Sequence, residues 1–233
     1  PTDPDGDWEK MAGPDKKMIN QIMANSGKAI EAFERKLISQ GSRFERYTKG
    51  DHKALTTAEK RGLRLFVGKA SCNECHRGPV MSDNSFHNLG VPQAVGMAPP
   101  IDTGRAQDLP KMLGNPFNAR GEFSDDPATG KLRLDPINAM DPVAAGQFKT
   151  PGLVNIAETA PYFHNGAVKT LEELVHFYNV GGGMPGTFAG TKDPKIKPLG
   201  LSPAEEADLV AFLRSLTGGP VPAEWAADTS KKL

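Results

Sequence analysis

The segment SCNECHRGP, residues Ser71 to Pro79, holds both cysteines of this 233-residue chain and places a histidine directly after the second one. Three kinds of site use two thiols this close together: a covalently attached heme, a zinc site and a dithiol redox pair. Because the chain has no other cysteine, this segment decides what the fold is built around.

Cys72, Cys75 and His76 have the spacing that a c-type heme requires, with two sulfurs for the vinyl groups and an adjacent imidazole for the iron. A structural zinc site usually takes four ligands in two closely spaced pairs, and the sequence has no second such pair. A thioredoxin-like dithiol would lie in a strand-helix-strand pattern, which the Gly-rich flanks do not show. The pattern therefore favours one covalently bound heme c per chain over zinc or a redox dithiol.

The composition supports a loop-rich protein wrapped around a cofactor, since the chain has 25 Gly and 20 Pro and only 7% aromatic residues. Charge is balanced, with 28 basic and 28 acidic residues and no basic stripe, so nucleic acid is not expected as a partner. No apolar run approaches the roughly 18 residues of a membrane span, and the residues from Pro1 onward show no signal-peptide pattern. Because thioether attachment of heme takes place outside the reducing cytoplasm, we expect a mature or trimmed exported protein in the periplasm.

The apolar periodicity predicts an all-α, cytochrome c-like fold with extensive loops. A long amphipathic helix is expected from Pro14 to about Ser39, and three further helices follow N-terminal capping signals at Thr56, Thr170 and Ser202. Between Gly78 and Gln147 we expect mostly loop, with a short helical turn near Leu109 to Leu113 and a strand at Lys131 to Leu134.

A second axial ligand for the iron cannot be chosen from spacing alone. Met81 is too near His76 to reach the opposite face of a heme. The other side chains that could serve are Met97, Met112, Met140, Met184, His87, His164, His176 and Tyr178. Each methionine taken singly is typical of a gap-filling or loop residue, and Tyr178 lies on the apolar face of its helix, where a core tyrosine is the ordinary interpretation.

Four stretches of the chain resemble the C-terminal half of bacterial diheme cytochrome c peroxidases and MauG-type enzymes. They are INQIMANSGKAIEAFERKL (19–37), TTAEKRGLRLFVGKASCNECHRGP (56–79), FHNLGVP (86–92) and FKTPGLVNIAETAPYFHNGAVKTLEELVHFY (148–178). In that family, two cytochrome c-like domains each carry one heme, the N-terminal heme meets peroxide, and the C-terminal heme transfers electrons.

The resemblance implies that Cys72 and Cys75 hold the heme and that His76 is the proximal ligand. The peroxidases have a distal Met at the position of Tyr178, and MauG-type proteins have a Tyr there, so the resemblance makes Tyr178 the distal ligand. A phenolate is a harder, anionic donor than a thioether, and it should stabilise ferric iron and lower the reduction potential.

The same resemblance implies a calcium site at the domain junction, with backbone carbonyls of Thr159 and Pro161 among its ligands, although a turn around Pro161 with ordinary hydrogen bonds is the simpler interpretation. It also matches His164 and His87 to positions that hold loops against the heme rather than bind the iron.

One departure from the family is that this chain has a single C-x-x-C-H motif, so the peroxidatic heme is missing from it. We therefore expect an N-terminal helical strap (1–49), a heme domain (50–219) and a C-terminal tail (220–233). The expected function is the electron-transfer heme domain of a diheme peroxidase or MauG-like oxidoreductase. Its partners would be a second heme domain or subunit and a small redox protein. The alternatives are a stand-alone monoheme electron carrier and a monoheme enzyme with an open iron position.

Overall fold

A computed structural model describes residues 7–93 and 102–226. Its helices are α1 (Asp7–Lys10), α2 (Gly13–Glu34), α3 (Arg43–Thr48), α4 (Thr57–Val67), α5 (Arg105–Gly114), α6 (Pro127–Leu134), α7 (Leu171–Asn179), α8 (Pro203–Arg214) and α9 (Ala223–Ala226). Short 3₁₀ turns lie at Cys72–Glu74, Pro142–Ala144 and Ile156–Glu158. In the described part of the chain, the strands β1 (Phe86–His87) and β2 (Phe148–Lys149) form one antiparallel pair, with His87 opposite Phe148. The structure is thus mostly helical with little sheet, as a cytochrome c-like fold requires.

The chain divides into two compact units. The core unit comprises Ser39–Pro110 and Ala139–Pro220, and the N-terminal unit comprises the residues up to Ile38, Lys111–Asn138 and the residues from Val221 onward. These units do not coincide with the three segments expected from the sequence, because α3 belongs to the core unit and the segment around α6 belongs to the N-terminal unit.

Three helices of the core unit begin where the capping signals predicted them. Thr56, Thr170 and Ser202 each accept a hydrogen bond from the backbone N–H three residues on, and the glutamate at that position bonds back to the cap residue. Each reciprocal pair satisfies two backbone donors that a helix start would otherwise leave without partners. The predicted starts of α4, α7 and α8 are confirmed.

The predicted strand at Lys131 to Leu134 is wrong, because these residues form the last turn of α6. Asp126 caps this helix by accepting from the Thr129 N–H at 3.0 Å, and Pro127 suits its first turn. The alternation of Leu132 and Leu134 suggested a half-buried strand, but Leu132 is 79% exposed. The helical turn near Leu109 is also longer than expected, since α5 begins four residues earlier, at Arg105, and ends at Gly114.

The core unit is organised around the crossing of α4 and α8. Phe212 is fully buried, and its ring packs against Phe44 and Phe66 at centroid distances of 5.2 and 5.1 Å. The two helices approach so closely at Gly62 that a Cβ added there would lie 2.0 Å from the Asp208 carbonyl oxygen. Only a residue without a side chain fits this crossing.

The N-terminal unit leaves the apolar side of α2 open. None of the 22 residues of α2, all of them described, is buried. The exposed apolar side chains on this helix are Met18, Ile19, Ile22, Met23, Ile30 and Phe33. Within the unit, Lys17 and Lys28 form ion pairs with Glu122 and Asp125 at 3.0 and 2.5 Å. The described part of the chain does not cover the apolar stripe.

We predict that Gly62→Ala destabilises the protein by about 1–3 kcal/mol, because the added methyl group must separate α4 from α8. Denaturant unfolding followed by circular dichroism measures the change. Gly27→Ala is the matched control, since Gly27 lies inside α2 with nothing within 4 Å of an added Cβ. That substitution should be neutral or stabilising by up to about 1 kcal/mol. Equal stability of Gly62→Ala and the wild type would contradict the tight crossing.

Candidate heme-attachment site

The end of α4 leads directly into the cysteine turn. After Gly68 the chain bends at Ser71, whose φ of 50° is left-handed, and then enters the 3₁₀ turn that begins at Cys72. The N–H groups of Cys75 and His76 both donate to the Cys72 carbonyl oxygen, at 3.3 and 2.9 Å. Residues three apart lie on the same face of such a turn, so the two free thiols face the same side.

His76 can adopt the tautomer that a metal ligand needs. Its Nδ1 lies 3.0 Å from the Met81 carbonyl oxygen, and the tautomer that donates from Nδ1 to that oxygen offers the Nε2 lone pair to a metal. Burial lowers the pKa of His76 below its ordinary value and outweighs the opposing effects of the Met81 and Pro151 carbonyls and of Asp83. The neutral imidazole is the form that binds iron.

Tyr178, on α7, packs against the same core as Cys72 and lies close enough to both cysteine sulfurs for their charge to act on it. Its side chain is half-buried beside the rings of Phe163 and Phe177, and within the described residues its hydroxyl has no hydrogen-bond partner. Burial raises the pKa of Tyr178, and the nearby Cys72 and Cys75 sulfurs raise it further. The hydroxyl is therefore open to a ligand that the described residues do not supply.

The position of Tyr178 is held from the end of α7. The Asn179 side chain donates to the Leu201 carbonyl and to Glu206, at 3.0 and 2.7 Å, and accepts from the Leu201 N–H at 2.8 Å. After the helix, a Cβ on Gly183 would lie 1.8 Å from the Gly90 carbonyl oxygen. These contacts tie the tyrosine-bearing helix to the segments on both sides of it.

The other side chains considered as axial ligands have different surroundings. Met81 is buried, and its backbone already serves His76. Met140 and Met184 are 79% and 75% exposed, and Met112 belongs to the N-terminal unit. Met97 lies outside the described residues. His176 is exposed and bonds to Glu206 at 3.1 Å, whereas Tyr178 lies near both cysteine sulfurs.

His164 lies flat on the ring of Phe148, at a centroid distance of 3.5 Å and an interplanar angle of 8°. Its Nε2 is 3.9 Å from the Asp102 carboxylate, and burial lowers its pKa despite that carboxylate. The stacked partner is on β2, so His164 joins the loop after the Ile156–Glu158 turn to the short sheet.

His87 bridges two carboxylates. Its Nδ1 is 2.7 Å from Asp193 and its Nε2 is 3.0 Å from Asp83. Burial favours the neutral ring, but the hydrogen bonds to Asp193 and Asp83 outweigh it and raise the pKa of His87. Burial likewise opposes ionisation of Asp83, yet the hydrogen bonds from His87 and Ser85 lower its pKa to about 2. The three side chains form an ion-paired group, which we call the His87 cluster.

The His87 cluster reaches the second cysteine. Within the described chain, one group of three His, Cys, Asp or Glu side chains has ligand atoms within 4.8 Å of one another, and it consists of Cys75, Asp83 and His87. The Asp83 N–H also donates to the Cys75 carbonyl oxygen at 2.7 Å. Sequence reasoning missed Asp83 and Asp193. The spacing of Asp83 four residues before His87 was a weak signal, and Asp193 is too distant in sequence to give one.

Thr159 and Pro161 lie next to the Ile156–Glu158 turn. The Thr159 hydroxyl donates to the Ile156 carbonyl at 3.2 Å, and the Ala160–Pro161 peptide is cis. Among the described residues, no cluster of acidic, histidine or cysteine ligands forms at this turn. Any cation here would depend on backbone carbonyls.

The sequence is similar to several curated proteins. It is 38% identical over 215 residues to cytochrome-c peroxidase IdrP1 of Denitromonas iodatirespirans, covering 90% of this chain and 53% of that protein. It is 31% identical over 196 residues to the methylamine utilization protein MauG of Methylorubrum extorquens, covering 82% of this chain and 44% of that one. The chain thus spans about half the length of these relatives. No protein-family model matches it.

Solved structures with the same fold include a MauG-like protein associated with microbial copper homeostasis. It has a TM-score of 0.53 and 32% identity, covering 76% of this chain and 52% of that one. The diheme peroxidase BthA of Burkholderia thailandensis also gives a TM-score of 0.53, covering 78% of this chain and 47% of that one, and at 23% identity it supports the fold alone. In the described part of the chain, no helix is long and apolar enough to cross a bilayer.

We predict that Asp83→Asn lowers stability near neutral pH by on the order of 1 kcal/mol, after allowing for solvent screening. The pKa of Asp83 is lower in the folded chain than when unfolded. Its contribution is therefore present above about pH 4 and is lost as the pH falls toward about 2. Denaturant midpoints measured between neutral and acidic pH should converge for the variant and the wild type.

Glu172→Gln is the control for this series, because it breaks the exposed pair with Arg214 at 2.7 Å. It should change stability by less than about 0.5 kcal/mol. A difference between Asp83→Asn and the wild type that stays constant as the pH falls would argue against the ion-paired assignment of Asp83.

Proposed function

Because the chain is a homologue of bacterial cytochrome c peroxidases and MauG proteins and spans about half their length, we propose that it is a c-type heme oxidoreductase domain. Its role would be that of the electron-transfer heme domain of a diheme peroxidase. In this role it relays or stores oxidising equivalents while a partner heme reacts with peroxide.

The observation that supports this proposal most strongly is the convergence of four side chains. Two free thiols lie one turn apart, the His76 imidazole next to them can offer Nε2 while Nδ1 donates to the Met81 carbonyl, and the nearby Tyr178 hydroxyl has no hydrogen-bond partner among the described residues. Together they provide two sulfurs for attachment and one donor for each face of an iron. A zinc site or a redox dithiol would leave the tyrosine without a role.

When bound, heme c supplies an iron that changes between ferric and ferrous states. Cys72 and Cys75 would hold it through thioethers, and His76 would be the proximal ligand through Nε2. The Met81 carbonyl keeps the proton on Nδ1 and fixes the orientation of the ring. We expect one heme per chain, since the sequence contains one such motif.

Tyr178 would be the distal ligand, as a phenolate. Burial raises the pKa of the free phenol, so the positive charge of the iron has to favour the ionised form. An anionic oxygen donor stabilises ferric over ferrous iron and lowers the potential. The ties that Asn179 makes to Leu201 and Glu206 would keep the hydroxyl in position. Such a six-coordinate site favours transfer of oxidising equivalents over direct cleavage of peroxide.

The remaining predicted site residues would act around the heme. His164, stacked on Phe148, and His87, held by two carboxylates, would fix loops against it. Backbone carbonyls of Thr159 and Pro161 would contribute to a calcium site only together with ligands from elsewhere, because no acidic cluster lies beside them in the described chain.

A partner heme domain or subunit would complete the reaction, and a small redox protein would exchange electrons with it. The long α2 helix would act as a strap, and its exposed apolar side chains, among them Met18, Ile22 and Phe33, are consistent with a surface that a further domain covers. The periplasm is the expected location, because thioether attachment of heme belongs to exported proteins.

The second possible function is that of a stand-alone monoheme electron carrier. It would require a methionine as distal ligand. The exposure of Met140 and Met184 does not favour this alternative. Met97 lies outside the described residues and is tested by the spectra below.

We predict that the purified chain, produced with a cytochrome c maturation system, carries a mass increment of one heme. The double variant Cys72→Ala with Cys75→Ala should carry none, because both thioether sulfurs are gone. Intact mass spectrometry measures this difference. His76→Ala should keep the mass increment but lose the native ferric spectrum, and a native spectrum in that variant would disprove the proximal assignment.

Tyr178→Phe should convert low-spin ferric iron to a largely high-spin form, because the ring stays and the oxygen donor is removed. Optical and EPR spectra of the ferric protein measure the change. Tyr47→Phe is the control, since Tyr47 contacts His52 and Lys60 rather than the cysteines, and its spectrum should match the wild type. A methionine-type spectrum in the wild type would favour the carrier, and an unchanged spectrum in Tyr178→Phe would make Tyr178 a packing residue.

A further inference from the structure

The His87 cluster lies beside the sulfur that would carry the heme. The ring nitrogens of His87 contact Asp83 and Asp193 at 3.0 and 2.7 Å. One ligand atom each of Cys75, Asp83 and His87 lies within 4.8 Å of the others. The Asp83 N–H donates to the Cys75 carbonyl, so backbone and side chains both join the cluster to the cysteine turn.

The geometry of the cluster implies a bound proton. A neutral imidazole has one N–H, so one of its nitrogens would direct a lone pair at a carboxylate oxygen, which is repulsive. An imidazolium donates from both nitrogens, and it accounts for both short contacts. The His87 side chain is 16% exposed, and the carboxylates of Asp83 and Asp193 are 6% and 20% exposed, so solvent screens these charges only in part.

A thioether at Cys75 would join this sulfur to the carbon that the porphyrin ring carries, two covalent bonds from the ring edge. The proton on His87 would then lie within several ångströms of a group whose charge changes by one on reduction. Two charges at such a separation in a partly buried site interact appreciably. The occupancy of the proton site and the oxidation state of the iron must therefore influence each other, and the influence is reciprocal.

We propose that Asp83, His87 and Asp193 form a proton-binding site that takes up a proton when the heme at Cys75 is reduced and releases it on oxidation. The inference rests on the proposed attachment of heme at this cysteine. It makes His87 a residue that sets the potential of the iron through charge, which goes beyond holding a loop.

Reduction of the heme would consume one electron and up to one proton. A small redox protein, or a chemical mediator in the laboratory, supplies the electron that turns ferric into ferrous iron. Solvent supplies the proton to the imidazole nitrogen that lacks one, and no bond to carbon forms or breaks. Since reduction removes one positive charge, His87 binds its proton more tightly in the ferrous protein than in the ferric protein.

Two further charged side chains lie near Cys75, namely Glu74 and Lys195. They form an ion pair at 3.5 Å, so their charges largely offset each other. Both act on Cys75 together with Asp83 and Asp193. The His76 imidazole has its Nδ1 proton on the Met81 carbonyl. Of the groups around this sulfur, His87 is the one whose ordinary pKa lies in the neutral range and which carboxylates contact on both sides.

The test is a spectroelectrochemical titration of the heme-loaded full chain with soluble mediators from about pH 5 to about pH 9. The potential of the wild type should fall with rising pH over part of this range. The slope is at most about 59 mV per pH unit, which is the one-electron equivalent of a tenfold change. A pH indicator in weakly buffered solution should register proton uptake when the heme is reduced.

His87→Asn should remove this sloping section and the matching proton uptake. Asp193→Asn keeps the histidine but removes one carboxylate, so the sloping section should move to lower pH. This second variant also tests the inference if His87→Asn does not fold. His52→Asn is the control, because His52 is exposed and contacts Tyr47 rather than a carboxylate, and it should reproduce the wild-type curve.

A wild-type potential that does not change with pH, or an unchanged slope in His87→Asn, would overturn the inference while the heme assignment stands. An unchanged position of the slope in Asp193→Asn would also count against it. Absence of the heme mass increment would instead overturn the proposed function and the inference together. The mass measurement therefore separates the two kinds of failure, because it tests the proposed function before the potentials test the inference.

Discussion

The close approach of α4 to α8 is the constraint on which the site depends. It requires a residue without a side chain at Gly62 and the ring of Phe212 between Phe44 and Phe66. Because α4 leads within a few residues into the turn that holds Cys72, the crossing sets where both thiols lie. Asn179, at the end of the helix that carries Tyr178, bonds to Leu201 just before α8 and to Glu206 within α8. Both sides of the site are therefore positioned by α4 and α8.

The site contains groups whose ionised forms burial disfavours. Burial raises the pKa of the Tyr178 phenol and raises that of the Cys72 thiol to about 12. Under the proposed function, a covalently held iron would give each of these groups a bond. The folded chain therefore carries the arrangement of a cofactor-binding protein even though its core packs through Phe66 and Phe212.

Homology and structure support the proposed function at different levels. Relatives that are cytochrome c peroxidases and MauG proteins, and a solved MauG-like structure at 32% identity, agree on the fold. The chain matches only about half of each, and that half contains one heme motif. Under the proposed function, peroxide chemistry would take place at a second heme, and this domain would contribute a site for transferring charge whose potential local groups such as His87 would adjust.

The sequence by itself determined the local features. Capping pairs such as Thr56 with Glu59 predicted where helices begin, and the spacing of Cys72, Cys75 and His76 predicted the attachment turn, because each depends on neighbouring residues. The prediction from sequence was wrong at α6, where the alternation of Leu132 and Leu134 resembled the pattern of a strand. Only the tertiary structure decided that Tyr178 lies near the cysteine sulfurs and that Asp193 reaches His87 across 106 positions. Such contacts depend on how helices and loops pack, and no local period or spacing encodes them.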